Sequence, residues 1–226
     1  MFNTLNSAIA LVRDEPAKAE ALLAGHYARS KEQQLIRPRD EMEALLTQLG
    51  KTADFDGLAA RWAGGFDATR ARRDLLARSL RLSPSMAPEA HAALNDSARV
   101  LGIRGALELY QSAGPENAAM HLVPSPILVE VQGHLLTQLD DAGLRMVFGH
   151  ELGHYLAHGS HGERGARHVA ARVLARGGQG DVGAQRTAQL LQVAAEITAD
   201  RFALLSCQDL GGLLRAQMSI TTGLPV

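Results

Sequence analysis

The stretch His150-Glu151-Leu152-Gly153-His154 constrains this chain more than any other. On a helix, positions i and i+4 stand one turn apart on the same face. Two imidazoles so placed can bind one metal ion, and Glu151 beside them can take the proton of a water held by that ion. The surrounding residues support a helix. Leu139, Val147 and Leu156 supply a buried side, Thr137-x-x-Asp140 and Asp141 offer caps at its start, and Gly159 can end it. The plain alternative is a surface helix with two ordinary histidines. Two histidines and a glutamate are also an incomplete site, because zinc usually takes a third protein ligand.

A third ligand can be sought in two places. The metzincin pattern needs Gly at 157 and His at 160; Ala157 and Ser160 stand there, so that class is rejected. His158 and His161 are near, but the turn that carries them reaches the metal poorly. They are expected instead as a polar helix end or a substrate-side donor, with the charged form favoured near the helix C-terminus. The better candidate lies in Ala194-Ala195-Glu196-Ile197-Thr198-Ala199-Asp200-Arg201-Phe202-Ala203, a strong helical pattern. Glu196 and Asp200 share one face of it among Ala, Ile, Phe and Leu, and carboxylates in apolar surroundings need a reason, since unpaired burial is costly. Glu196 as ligand and Asp200 as the group holding the distal N–H of a ligand histidine would supply one. The rival reading is a surface pairing of these carboxylates with arginine, Arg201 among them.

The rest of the chain sets limits. Its 226 residues fit one catalytic-size domain, or one domain with a small helical appendage. Hydrophobic residues at 46% and charged residues at 21% exclude global disorder. A formal net charge of -1 gives no overall pull toward nucleic acid or anionic lipid, so no nucleic-acid partner is expected. The single cysteine, Cys207, excludes an intrachain disulfide and a multi-cysteine zinc site. No window approaches about 18 uncharged apolar residues, so no transmembrane segment is expected. The N-terminus does not read as a secretory signal, and a cytoplasmic location is the expectation.

Along the chain, residues 1–83 read as a helical region. Helices are expected over 15–30 and over 40–49, the latter with a stripe of Met42, Leu45, Leu46 and Leu49. Gly50 and Gly64-Gly65 are helix stops, and Asp67 can cap a helix running through Leu75, Leu76, Leu80 and Leu82. Pro84 and Pro88 disfavour helix on both sides and mark the boundary with residues 84–226. A short helix is expected over 89–101, then strands over 106–111 and 127–132. The second strand alternates Ile127, Val129 and Val131 against Leu128, Glu130 and Gln132, as a strand with one wetter face does. From Leu135 the pattern returns to helix. The glycine-rich run 177–183 lacks the preceding strand and the following Lys-Ser/Thr of a phosphate-binding loop, and reads as a connector. Residues 221–226 read as a segment that continues.

The stretch 144–154, followed by Glu196-x-x-Ala199-Asp200-Arg201, resembles the gluzincin metallopeptidases of the HtpX and CAAX-prenyl-protease family. Upstream, Glu116-Asn117-Ala118 and the strand after Pro126 resemble that family's Asn-Ala element and the strand before its zinc helix. The resemblance covers roughly residues 85–206. It implies a zinc endopeptidase with one Zn2+ per chain, held by His150, His154 and Glu196, with Glu151 as general base and acid. It also implies an edge strand whose Asn117 and Ala118 pair with an extended protein or peptide substrate. The chain departs from the family in having no membrane helices. It also lacks the His-Pro and Arg element that follows the third ligand in many members; residues 207–226 contain no His and only Arg215. The donor to the reaction's oxyanion is therefore open among Tyr155, His121, His158 and Arg215.

The expectation is an α+β, mostly helical chain: a zincin-like metallopeptidase domain with a small sheet at 84–226, and a helical region at 1–83. That first region is either a layer packed on the catalytic part or an inhibitory or partner-binding element. Two rival functions stand beside peptide hydrolysis: a non-catalytic zincin that binds or regulates, and a zinc hydrolase of non-peptide bonds. An intact Glu151 argues against the first rival, because a purely structural zinc site has no use for that carboxylate.

Overall fold

The computed structural model describes residues 37–52, 54–63, 67–123, 125–158, 162–177 and 181–222. The helix expected over 15–30, the stops at Gly64-Gly65 and Gly159, His161 and residues 178–180 of the glycine-rich run lie outside the described residues. Four strands form one mixed sheet in the order β1-β2-β4-β3: β1 Ser79–Leu82, β2 Leu107–Ser112, β3 Asn117–His121 and β4 Ile127–Gln132. β2 and β4 run parallel, and the two outer pairings are antiparallel. Helices make up most of the remainder, so the chain is α+β and mostly helical.

Strand β4 differs from its expected form. Ile127, Val129 and Val131 do face a core, which they share with Ala93 and Leu94 of helix α4 (Pro88–Val100) and with Phe148 and Leu152 of helix α6 (Asp141–His158). The other face is buried too. Leu128 packs with Tyr110 and with Leu75 of helix α3 (Ala68–Leu76). Glu130, 1% exposed, is matched by the Arg78 guanidinium, which donates to both carboxylate oxygens, and by the Ser112 hydroxyl, which donates at 2.7 Å. His121 Nε2 lies 3.1 Å from its second oxygen. Burial pushes the Glu130 carboxyl up, but the hydrogen bonds from Arg78, Ser112 and His121 outweigh it and hold the group below its ordinary range. An alternating pattern reports which side chains are polar; it does not report that an ion pair has covered the polar face.

One expectation before residue 84 needs correction. Asp67 does cap α3, accepting from Thr69 N–H at 2.8 Å, but the helix stops at Leu76. Leu80 and Leu82 belong to β1, whose backbone groups pair with β2. Leucines at 75, 76, 80 and 82 fit a helical stripe, and pairing to a neighbouring strand overrides that local preference. Among the described residues, the helices before residue 83 pack against the rest of the chain, one of the two arrangements expected for them. Met42, Leu46 and Leu49 of helix α1 (Arg37–Gly50) and Phe55 and Leu58 of helix α2 (Phe55–Ala63) share one hydrophobic cluster with helices α7 (Gly162–Ala175) and α8 (Val182–Cys207). Pro84 and Pro88 mark the turn from β1 into α4, where Pro88 opens the helix.

After β4, the short helix α5 (Leu135–Gln138) leads to α6, which Asp140 caps by accepting from Gly143 N–H at 2.8 Å. Helix α8 begins on Asp181, whose carboxylate accepts from Ala184 N–H at 2.8 Å. Helix α9 (Leu210–Thr222) packs back on α6. Among the described residues, no helix is long and apolar enough to cross a membrane.

Candidate metal centre

The centre depends on how closely α6 and α8 approach. Gly149 and Gly153 of α6 meet Ala199 and Ala203 of α8, which are 0% and 1% exposed. A Cβ on Gly153 would lie 2.9 Å from both Ala199 Cα and Phe202 Cβ. One on Gly149 would lie 2.5 Å from Ser206 Cβ. Small residues at i and i+4 on both helices let the backbones come together, and the close approach carries Glu196 to the histidines.

Three ligand-type atoms then converge. His150 Nε2 lies 3.1 Å from His154 Nε2, Glu196 Oε2 lies 3.5 Å from His150 Nε2, and it lies 3.7 Å from His154 Nε2. A tetrahedral zinc ion with bonds of about 2.0–2.1 Å needs its ligand atoms roughly 3.3–3.4 Å apart. The observed spacings straddle that value, and two imidazoles with a carboxylate are a donor set that zinc accepts. His150, His154 and Glu196 together could hold a metal ion.

Further groups fix the ring orientations. Asp200 Oδ1 is 3.0 Å from His150 Nδ1; a carboxylate only accepts, so Nδ1 donates to it and Nε2 is the nitrogen left to face a metal, which would displace the proton there. His158 Nε2 is 3.2 Å from His154 Nδ1, and the His158 ring packs on His168 at 4.5 Å between centroids. Burial disfavours charge on His150, but the Asp200 and Glu196 carboxylates outweigh it and raise its pKa to about 10. Burial, followed by the charge on His150, pushes His154 down to about 3. His158 was expected as a polar helix end or a substrate-side donor, with the charged form favoured. It is instead buried, and burial followed by the neighbouring His168 pushes it down to about 3, so it is neutral. Glu196 also departs from expectation. Its side chain is half exposed to the cleft, so pairing with His150, which lowers its pKa, explains its placement better than burial does.

Glu151 is buried beside the triad, and its Oε2 accepts from Met120 N–H of β3 at 2.8 Å. Burial raises its pKa, while the His150 charge and the Met120 N–H work the other way. The cleft over these groups has two halves. A polar half of about 280 Å³ carries His158, Arg172 and Gln192. A second half of about 330 Å³ carries Met146, Val147 and Ile220. Asn117 and Ala118 line both, along the edge strand where they were expected. Of the four residues considered as oxyanion donors, only His158 lines the cleft. His121 is bonded to Glu130, Arg215 pairs with Asp140 and Asp209, and Tyr155 packs in the core beneath the sheet.

Arg172 and Gln192 were not anticipated, although their spacing was readable. Arg172 is four residues after His168 on α7, and Gln192 is four before Glu196 on α8, so each lies on its helix's site-facing side. Asp200→Ala is expected to weaken zinc binding by roughly 10–100-fold, read by competition with a chelating dye. Unchanged affinity would reduce Asp200 to an ordinary surface charge. Compared with known proteins, the chain matches no family model, no curated protein and no solved structure.

Proposed function

We propose that this chain is a zinc-dependent metalloendopeptidase with a zincin-like site, as its resemblance to the gluzincins implies. The observation that carries the reading is the spacing of His150 Nε2, His154 Nε2 and Glu196 Oε2, with the Glu151 carboxyl buried beside them. A zinc ion held there would act as a Lewis acid and bring the acidity of water toward neutrality. Glu151 is the general base and acid. Met120 N–H holds its Oε2, which leaves Oε1 to take a proton from the attacking water and return it to the leaving amine. A carboxyl raised by burial is better matched to that task than one at its ordinary value.

The substrate is an extended peptide. Met120 N–H points out of the sheet toward Glu151, so by the two-residue alternation of an antiparallel pair Ala118 also presents its backbone groups to the cleft. A peptide laid along β3 would use them, which gives Asn117 and Ala118 a substrate-binding role.

Elemental analysis of the purified chain should find about one equivalent of zinc. Unfolded casein should be cleaved, and a chelator should stop the cleavage until zinc is restored. Zinc bound at one equivalent without any hydrolysis of unfolded protein would overturn the peptidase reading in favour of a binding module. No zinc at all would overturn the metal centre.

A further inference from the structure

Among the described residues, the cleft carries a cation with no ion-pair partner of its own. Arg172 lies in the last turn of α7 and is exposed, and it has no carboxylate within ion-pair distance among the described residues. Its neighbours on the helix differ: Arg164 pairs with Glu43 at 2.8 Å, and Arg167 donates to the Leu46 carbonyl at 2.9 Å. Arg172 lines the polar half of the cleft together with His154 and His158. Gln192 lines the same half of the cleft, although its amide Nε2 is shielded from solvent. A guanidinium standing in this cleft is a donor suited to an acceptor that carries negative charge.

The direction of the substrate assigns that acceptor. Along the cleft, α6 passes from Met146 and Val147 through His150 to His158, and α8 passes from Asp200 through Glu196 to Gln192. β3 runs the same way, with Met120 and the following Leu122 at the Arg172 end. A strand added to the free edge of β3 pairs more stably when antiparallel. Its N-terminal part then lies beside Met120 and Leu122, and its C-terminal part lies beside Val147 and Ile220. We propose that Arg172 selects an acidic side chain on the N-terminal side of the scissile bond. The inference rests on the peptidase reading and adds a substrate class to it. A C-terminal carboxylate is a different source of the same charge, and it would require the opposite direction of binding.

The test uses the full chain with zinc and a diverse peptide library, with cleavage sites read by mass spectrometry. Asp and Glu should be enriched within three residues N-terminal to the cut. For a matched peptide pair with Glu or Gln at that position, kcat/KM should favour Glu roughly 10-fold. Arg172→Ala should abolish that ratio, and Arg172→Glu should move the preference to Lys and Arg. Binding of the same labelled pair to Glu151→Gln protein, read by fluorescence anisotropy, should show the preference without turnover. Cleavage with no acidic enrichment, or with enrichment that survives Arg172→Glu, overturns the inference and leaves the peptidase reading standing. So does acidic enrichment only on the C-terminal side, or removal of single C-terminal residues. An equal fall on both peptides in Arg172→Ala would place the guanidinium at the reacting carbonyl and would also overturn it. No cleavage of any peptide by the zinc-loaded chain overturns both.

Discussion

Glu151→Gln should bind zinc as tightly as the wild type does while peptide hydrolysis falls by roughly 10²–10⁴-fold. The substitution keeps the length and planarity of the side chain. Its amide oxygen can still accept from Met120 N–H, the contact that now holds Glu151 Oε2 at 2.8 Å. The ability to receive a proton is lost. The metal ligands are untouched, because Glu151 is not among the three groups whose donor atoms converge. Zinc content, far-ultraviolet circular dichroism and casein turnover measured on one preparation separate the outcomes. Hydrolysis at the wild-type rate would refute the assigned base. Loss of zinc would mean that Glu151 supports the metal, and the distinction between ligand and base would fail.

Gly153→Ala should both destabilise the fold and weaken the metal centre. Two effects of opposite sign compete. In a helix interior, Ala is favoured over Gly by about 0.8–1 kcal/mol. Against that, the new methyl would sit 2.9 Å from Ala199 Cα, and a backbone atom cannot move aside as a flexible side chain can. Overpacking of this kind typically costs about 1–3 kcal/mol, so the steric effect wins. Relief requires α8 to move away from α6, and Glu196 moves with it. The expected result is a lower midpoint of thermal unfolding together with weaker zinc binding. Gly57→Ala is the control: it is exposed on α2, and its new methyl would meet only Asp54 Oδ1, at an ordinary 3.4 Å. That variant should match or exceed wild-type stability. A Gly153→Ala chain with unchanged stability and zinc affinity would show that the two helices do not depend on the glycine.

The sequence reveals the centre unevenly. His150, Glu151 and His154 are legible because helical spacing alone places them, and Glu196 with Asp200 follows from the same one-turn logic on a second helix. Capping chemistry at Asp67 was likewise readable. The helix expected to continue through Leu80 and Leu82 was misread because strand pairing between distant segments leaves no local trace. The buried second face of β4 was missed for a related reason. Arg78, which neutralises Glu130, lies far from it in the chain, and the ion pair exists only after the sheet has formed. Gly149 and Gly153 were visible as small residues four apart, yet their purpose depends on which helix they touch. Arg172 and Gln192 were overlooked because a charged or amide residue on a helix carries no label until a cleft opens beside it.

The shared cluster that joins α1 to α8 has a thermodynamic consequence. Met42 and Leu46 pack under the helix that supplies Glu196, and the Thr198 hydroxyl, two residues beyond that ligand, reaches Met42 Sδ at 3.7 Å. Any ion that binds the ordered centre and not a loosened one adds its binding free energy to the ordered state. Linkage is reciprocal: a bound ion would tighten the seat of α1, and whatever pulls α1 from that seat would lower the ion's affinity by the same factor. Occupancy of the centre and attachment of the N-terminal helices are thus two readings of one equilibrium.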